Sequence, residues 1–241
     1  MSGTLPVPDP QRIFDFLSDG LSQLCRGDPD VDNLIAPRRE QVLSLLTRYI
    51  VGIELANPTL GLVGTNDRRE LVIRHVLDSL APLSILIKHG RRRCIADIGS
   101  GAGLPGIPLA VAMPDTEFTL IERMARRANF LRSTQAALGL ANVTVEEAEM
   151  EKAKPGRFDL VTFRAFKPLE PKTFKKLFRL CADGGAIAAY KGRREKIEAE
   201  IAVLEKSALG NGLIWQVFPC PVPFLNEQRH ILSIQRPVNG V

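Results

Sequence analysis

From Cys94 onward, short apolar runs alternate with longer stretches whose apolar positions recur at helical spacing. The runs predict strands at 94–98, 117–121, 143–147, 158–163, 184–190, 213–219 and 229–235. The stretches between them predict helices at 105–112, 125–138, 170–181 and 194–208. Such alternation predicts an α/β fold with a mostly parallel, doubly wound sheet. Phe218 to Arg229 is a short proline-rich link with no room for a crossover helix. The last two strands therefore form an antiparallel hairpin at the sheet edge.

Upstream the pattern is helical. After a proline-rich start over residues 1–10, an amphipathic segment spans 11–24 and a turn-rich stretch spans 27–37. A helix over 38–55 repeats apolar residues at Val42, Leu45, Leu46, Tyr49, Ile50 and Ile53, one helical face. Residues 57–64 read as a loop, and Asp67 is placed to cap a helix with Leu71, Val76, Leu77 and Leu80 facing inward. The expected organisation is a helical extension over 1–66 and a main domain over 67–241.

The first predicted strand runs directly into Asp97-Ile98-Gly99-Ser100-Gly101-Ala102-Gly103-Leu104-Pro105-Gly106. A strand, a glycine turn and a helix start in succession are where α/β proteins hold a nucleotide-like ligand. Gly101, Gly103 and Gly106 also match the dinucleotide fingerprint, a weak signal alone. Asp97 discriminates, because a carboxylate two residues before the first glycine repels a pyrophosphate and attracts an ammonium. That favours S-adenosylmethionine, which carries an ammonium and a sulfonium and no phosphate, and disfavours an NAD-dependent oxidoreductase. Glu122 ends the second strand about twenty residues on, where a carboxylate accepts the hydroxyls of a ribose.

Composition bounds the reading. The 241 residues suffice for one large α/β domain with an extension. Cys25, Cys94, Cys181 and Cys220 and the three histidines show no metal-ligand spacing, so neither a metal site nor a disulfide frame is expected. The N-terminus lacks a basic start and apolar run, and no stretch approaches eighteen apolar residues, which predicts a cytoplasmic protein without a membrane span. The formal net charge of +5 hints at a polyanionic partner. Basic residues cluster at Arg91-Arg92-Arg93, at Arg123, Arg126 and Arg127, at Lys172, Lys175, Lys176 and Arg179, and at Lys191, Arg193, Arg194 and Lys196. Those beyond strand ends would rim a ligand crevice and attract phosphates, although a solvated helix face is the leading reading of any single cluster.

Arg164-Ala165-Phe166-Lys167-Pro168 follows the fourth strand, where adenine-N6 methyltransferases carry Asn/Asp-Pro-Pro-Tyr/Phe. Cys220 lies near the terminal hairpin and reads as structural, not as a nucleophile. An acceptor needing neither base nor nucleophile fits best. Guanine N7 is one, since its lone pair lies in the ring plane and no proton must leave, so positioning and desolvation suffice.

Four segments, Arg74-His75-Val76-Leu77-Asp78-Ser79-Leu80, Asp97 to Pro108, Arg164-Ala165-Phe166 and Tyr190-Lys191-Gly192, occur in an order and spacing that resembles the ribosomal RNA small subunit methyltransferase G family, also called glucose-inhibited division protein B. The resemblance covers roughly residues 40–235. It implies a seven-stranded Rossmann-like S-adenosylmethionine-dependent methyltransferase that methylates N7 of one guanine in the 530 loop of 16S rRNA, as a cytoplasmic monomer acting on 16S rRNA or the 30S subunit. It also implies that Gly99 and Leu104 line the cofactor with Asp97, Gly101, Gly103 and Glu122, and that Ala148 and Glu149 meet the adenine. Arg164 is implied to contact the donor or the space beside it, by a salt bridge to the methionine carboxylate or to an RNA phosphate. Its plainer alternative is a structural ion pair. Lys191 is read as holding a phosphate or donating to guanine O6. Arg74 and Asp78, four apart on a helix, fit a surface ion pair or a pair that shapes the site. Gly61-Leu62-Val63 stands where the family often has Asn-Leu-Thr, and Glu146-Glu147 precedes Ala148-Glu149 where an arginine is common. The residues alone leave open a small-molecule, protein or other RNA acceptor, and an inactive RNA-binding protein of this fold.

Overall fold

The computed structural model describes residues 10–88, 93–164, 170–207 and 212–235. Its sheet contains β1 (Cys94–Ile98), β2 (Glu117–Glu122), β3 (Val143–Glu147), β4 (Phe158–Arg164), β5 (Cys181–Lys191), β6 (Ile214–Pro219) and β7 (His230–Gln235). Their order is β3-β2-β1-β4-β5-β7-β6. β1 to β5 pair in parallel, and β7 runs antiparallel between β5 and β6. The predicted hairpin therefore forms, with its second strand inserted inside the sheet and β6 left at the edge. The chain reverses direction of winding between β1 and β4, so a ligand crevice lies beyond their carboxyl ends.

The helices at the N-terminus are α1 (Pro10–Gly27), α2 (Pro29–Ile35) and α3 (Arg39–Leu60). Residues expected to be turn-rich thus include a helix. Asp28 caps it by accepting from the Asp30 N–H at 2.9 Å, and Pro29 occupies the first turn, where its missing N–H costs nothing. α3 also outruns its prediction, continuing through Pro58 to Leu60. Proline is tolerated there because the helix ends within one turn, at Gly61 in a left-handed conformation (φ 56°). Asn57 then ties down the following loop, accepting from Val63 N–H and donating to the Thr65 carbonyl.

α4 (Arg68–Glu70) passes through a π-helical segment (Leu71–Leu77) into α5 (Asp78–Leu80), and α6 (Leu83–Lys88) follows. Asp67 caps this helix by accepting from Glu70 N–H at 2.7 Å, and Leu71, Val76, Leu77 and Leu80 are all buried, as the sequence predicts. α7 (Gly106–Ala112), α8 (Ala125–Leu138), α9 (Pro171–Leu180) and α10 (Arg194–Glu205) connect the strands.

Two apolar layers cover the sheet. α1 to α3, the π-helical segment and α5 to α8 contribute to one, so the N-terminal helices share a continuous core with the sheet residues Ile95, Phe118, Leu120 and Ile231. α9 and α10 contribute to the other, with Phe163, Phe174, Ile187 and Ile201. Among the described residues no helix is long and apolar enough to cross a membrane, and no cluster of His, Cys, Asp and Glu could hold a metal ion.

Candidate active site

The turn after β1 folds over Ser100, whose carbonyl accepts from Gly103 N–H at 2.7 Å and Leu104 N–H at 3.1 Å. Gly99 is exposed and Gly101 half-buried, so they present backbone toward the crevice, whereas Gly103 and Leu104 are buried beneath it. Gly103 has φ +92°, and a Cβ there would lie 2.5 Å from Ile107 Cγ1, so only glycine fits. The α3 helix braces the turn, with Tyr49 Oη donating to the Ala102 carbonyl at 2.8 Å.

Two carboxylates organise this turn from below. Asp97 is fully buried, and its Oδ2 accepts from Gly106 N–H at 3.0 Å. Its Oδ1 is buried without a hydrogen-bond partner among the described residues. Burial pushes the Asp97 carboxyl up to about 7, against the lowering effect of the Gly106 N–H. Glu122, also buried, accepts from Gly101 N–H at 3.0 Å through Oε2 and from Met124 N–H at 2.9 Å through Oε1. Each Glu122 oxygen keeps a second acceptor position. Spare acceptor capacity on Glu122 would suit a diol, and the buried Asp97 carboxyl would favour a cation over an anion at this turn.

Beyond β4 and β5 lies a cavity of about 420 Å³ lined by His75, Asp78, Arg164, Tyr190, Lys191 and Arg229, among others. Arg164 ends β4 and grips the π-helical segment. Its Nη1 donates to the carbonyls of Arg74 (3.2 Å) and His75 (3.1 Å) and to Asp78 Oδ2 (3.2 Å), and its Nη2 lies 3.1 Å from His75 Nδ1. Asp78 is buried and also holds Arg229 Nε at 3.3 Å. Arg229 in turn pairs with Glu227, which takes Arg74 Nη2 at 2.6 Å. This chain of alternating charges joins three distant segments into one wall. The polar hairpin residues Glu227, Arg229 and His230 were missed by sequence reasoning; charges in an otherwise apolar proline-rich link were the available signal.

Arg74 and Asp78 therefore do not form the surface pair that their spacing suggests. Asp78 is buried against Arg164 and Arg229, and Arg74 turns instead to Glu227 and to Glu70, its neighbour four residues back. Arg164 takes up the structural ion pair named as its alternative, while still lining the cavity. Lys191 is mostly buried, with Nζ on Glu200 Oε2 at 2.5 Å. Tyr190 Oη donates to the Ser79 carbonyl at 2.7 Å, tying β5 to α5. Cys220 lies in the cavity wall, and burial pushes its thiol up to about 12. Burial holds His75 down to about 4, with Arg164 and Arg74 adding to the effect, so the imidazole is neutral near pH 7.

The remaining predicted residues fall around these groups. Ala148 N–H donates to the Glu122 carbonyl at 3.1 Å, which sets the loop after β3 beside β2, and Glu149 is exposed there. Glu146 and Glu147 turn away to Arg157 (2.7 Å) and Arg132 (3.0 Å). Lys176 and Arg179 are structural, holding Glu151 and the carbonyls of Met150, Glu151 and Ala153. Arg123 and Arg126 are exposed, whereas Arg193 and Lys196 line a second cavity beside the hairpin. Ala165, Phe166, Arg91 and Arg92 lie outside the described residues.

Comparison with known proteins places this geometry. A family model described as rRNA small subunit methyltransferase G matches residues 42–232. The protein named ribosomal RNA small subunit methyltransferase G in Treponema pallidum (strain Nichols) is 42% identical over 199 residues, 80% of this chain and 85% of that one. Its namesake in Stenotrophomonas maltophilia (strain K279a) is 34% identical over 234 residues, 95% of this chain and 98% of that one. Among solved structures, a putative O-methyltransferase from Klebsiella pneumoniae superposes with a TM-score of 0.53 at 17% identity, covering 80% of this chain and 90% of that chain. That likeness shows a shared Rossmann-like fold.

Proposed function

The chain belongs to the rRNA small subunit methyltransferase G family, and on that basis we propose that it methylates N7 of one guanine in the 530 loop of 16S rRNA, with S-adenosylmethionine as donor. The observation that carries the guanine-N7 reading is the cavity beyond β4 and β5. Its carboxylate Asp78 is committed to two arginines, its Lys191 to Glu200, and its Cys220 is a buried thiol. None of these three groups is free to act as base or nucleophile, and N7 requires neither, so the ring lone pair of His230 goes unused.

Bound S-adenosylmethionine supplies a methyl group on a cationic sulfur. Glu122 would hold its ribose hydroxyls and Ala148 and Glu149 its adenine, beside the backbone of Gly99 and Gly101, while the charge of the buried Asp97 would attract its ammonium through the turn. The guanine enters the neighbouring cavity with N7 toward the glycine turn. Transfer of that methyl to N7 would require no proton to leave the base, so the chain's own residues have none to move. The walls hold the ring and exclude water, so catalysis is positioning and desolvation. Exposed Arg123 and Arg126, and Arg193 and Lys196 beside the second cavity, hold the RNA backbone by its phosphates. The enzyme acts in the cytoplasm as a monomer.

The test is methyl transfer from labelled S-adenosylmethionine to 30S subunits from cells lacking this protein, with the product nucleoside identified by mass spectrometry. N7-methylguanosine at one 530-loop position is the expected result. Transfer to another atom or another RNA would overturn the acceptor assignment while leaving the methyltransferase fold intact.

A further inference from the structure

His75 lines the cavity, and its ring has one nitrogen already committed. Arg164 Nη2 lies 3.1 Å from His75 Nδ1. A guanidinium can only donate, so Nδ1 must be the acceptor, and the neutral ring carries its hydrogen on Nε2. Arg164 is itself fixed by three further acceptors on the same helix, Asp78 Oδ2 and the carbonyls of Arg74 and His75. Protein geometry thus selects one tautomer and leaves a single neutral N–H to offer, which has no partner among the described residues. His230, which lines the same cavity, has the opposite arrangement. Its Nδ1 lies 2.6 Å from the Gly192 carbonyl, which can only accept, so in its neutral form the free nitrogen is a lone pair.

Resting on the guanine-N7 reading above, we infer that His75 is the residue that reads the acceptor base, its Nε2–H donating to guanine O6. On the edge that carries N7, guanine presents O6 as an acceptor, whereas adenine presents a donor amine in its place. A tautomer locked as a donor therefore pairs with guanine and opposes adenine. The contact is with O6 alone and leaves the N7 lone pair free for the methyl. Neutrality matters too. N7-methylation makes the base cationic, and a charged donor at O6 would repel the product, which argues against Lys191 in this role. Burial holds His75 uncharged near neutral pH, as its depression to about 4 indicates. His75 is a positioning residue here, since O6 is adjacent to the reacting nitrogen and is not itself transformed.

The experiment compares methyl transfer to 30S subunits reconstituted with guanine, 2-aminopurine or inosine at the target position. 2-Aminopurine keeps N7 and lacks O6, and inosine keeps both. The wild-type enzyme should prefer guanine and inosine over 2-aminopurine by about tenfold or more in kcat/KM, the effect of leaving one buried donor unpaired. His75→Ala should lower transfer to guanine and lose that preference. His75→Gln should recover it, because its amide can accept from Arg164 and still donate to O6. A His75→Ala enzyme that keeps the wild-type preference, or a wild-type enzyme indifferent to O6, overturns the assignment. If His75→Ala does not fold, a His75→Gln enzyme without the preference overturns it equally. Absence of wild-type transfer to guanine, by contrast, would overturn the acceptor reading on which the contact rests.

Discussion

The carboxylate of Asp78 holds Arg164 at 3.2 Å, with side chains only 8% and 14% exposed, and binds the end of β4 to the helix that precedes the sheet. Burial raises the Asp78 carboxyl despite the attraction of Arg164 and Arg229, so desolvation outweighs the pairing. Such a pair adds little net stability, yet removing one partner strands the other.

Asp78→Asn should therefore lower unfolding stability by about 3 kcal/mol or more, because two guanidinium groups lose their counter-charge in a buried wall. Urea titration of the wild type and variant measures it. A loss below about 0.5 kcal/mol would mean that Arg164 and Arg229 find other partners.

Glu122→Gln should weaken S-adenosylmethionine binding about tenfold or more. Gln offers one acceptor oxygen where Glu122 serves both Gly101 N–H and Met124 N–H, and its amide hydrogens would face one of those donors. Calorimetric titration with the donor distinguishes this from unchanged binding, which would leave Glu122 a role in the turn alone.

Asp97 should make donor affinity depend on pH. Its folded value of about 7 lies above the ordinary 3.8, so the ligand-free protein binds this proton more tightly than the unfolded chain does. The associated stability is present below pH 3.8 and is lost as pH rises through 7. An ammonium ligand needs the charged form, so affinity should rise between about pH 6 and 7.5, before the ligand's own amine begins to deprotonate near 8. Asp97→Asn should flatten both dependences; an Asp97→Asn enzyme with the wild-type pH profile would assign the titration elsewhere.

Gly106→Ala should destabilise the fold by about 1–3 kcal/mol or more. A Cβ there would lie 2.3 Å from Leu120 Cδ2 and 2.7 Å from Asp97 Oδ2, and moving Asp97 aside would break its bond to Gly106 N–H. Thermal melting reports the loss, and an unchanged midpoint would show that β1 and β2 have room to separate.

Much of this architecture is local in origin and so was legible along the chain. Helical spacing placed Leu71, Val76, Leu77 and Leu80 in the core, strand alternation gave the sheet, and the short link after Phe218 required the hairpin. The helix hidden in residues 29–35 and the extension of α3 to Leu60 were obscured because prolines and polar residues there act as caps and ends, not as breaks.

The glycine turn, Asp97 and the class of donor could be read from consecutive residues, because a strand-to-turn junction fixes its own backbone within a few positions, and Glu122 from the end of the next predicted strand. The acceptor side could not, since it exists only once the chain is folded. Arg164 meets Asp78 across 86 residues and Arg74 meets Glu227 across 153, pairings that no local pattern encodes. Burial then set what those groups can do: it keeps His75 neutral, retains the Cys220 thiol and raises Asp97, since the cost of a buried charge depends on everything packed around it.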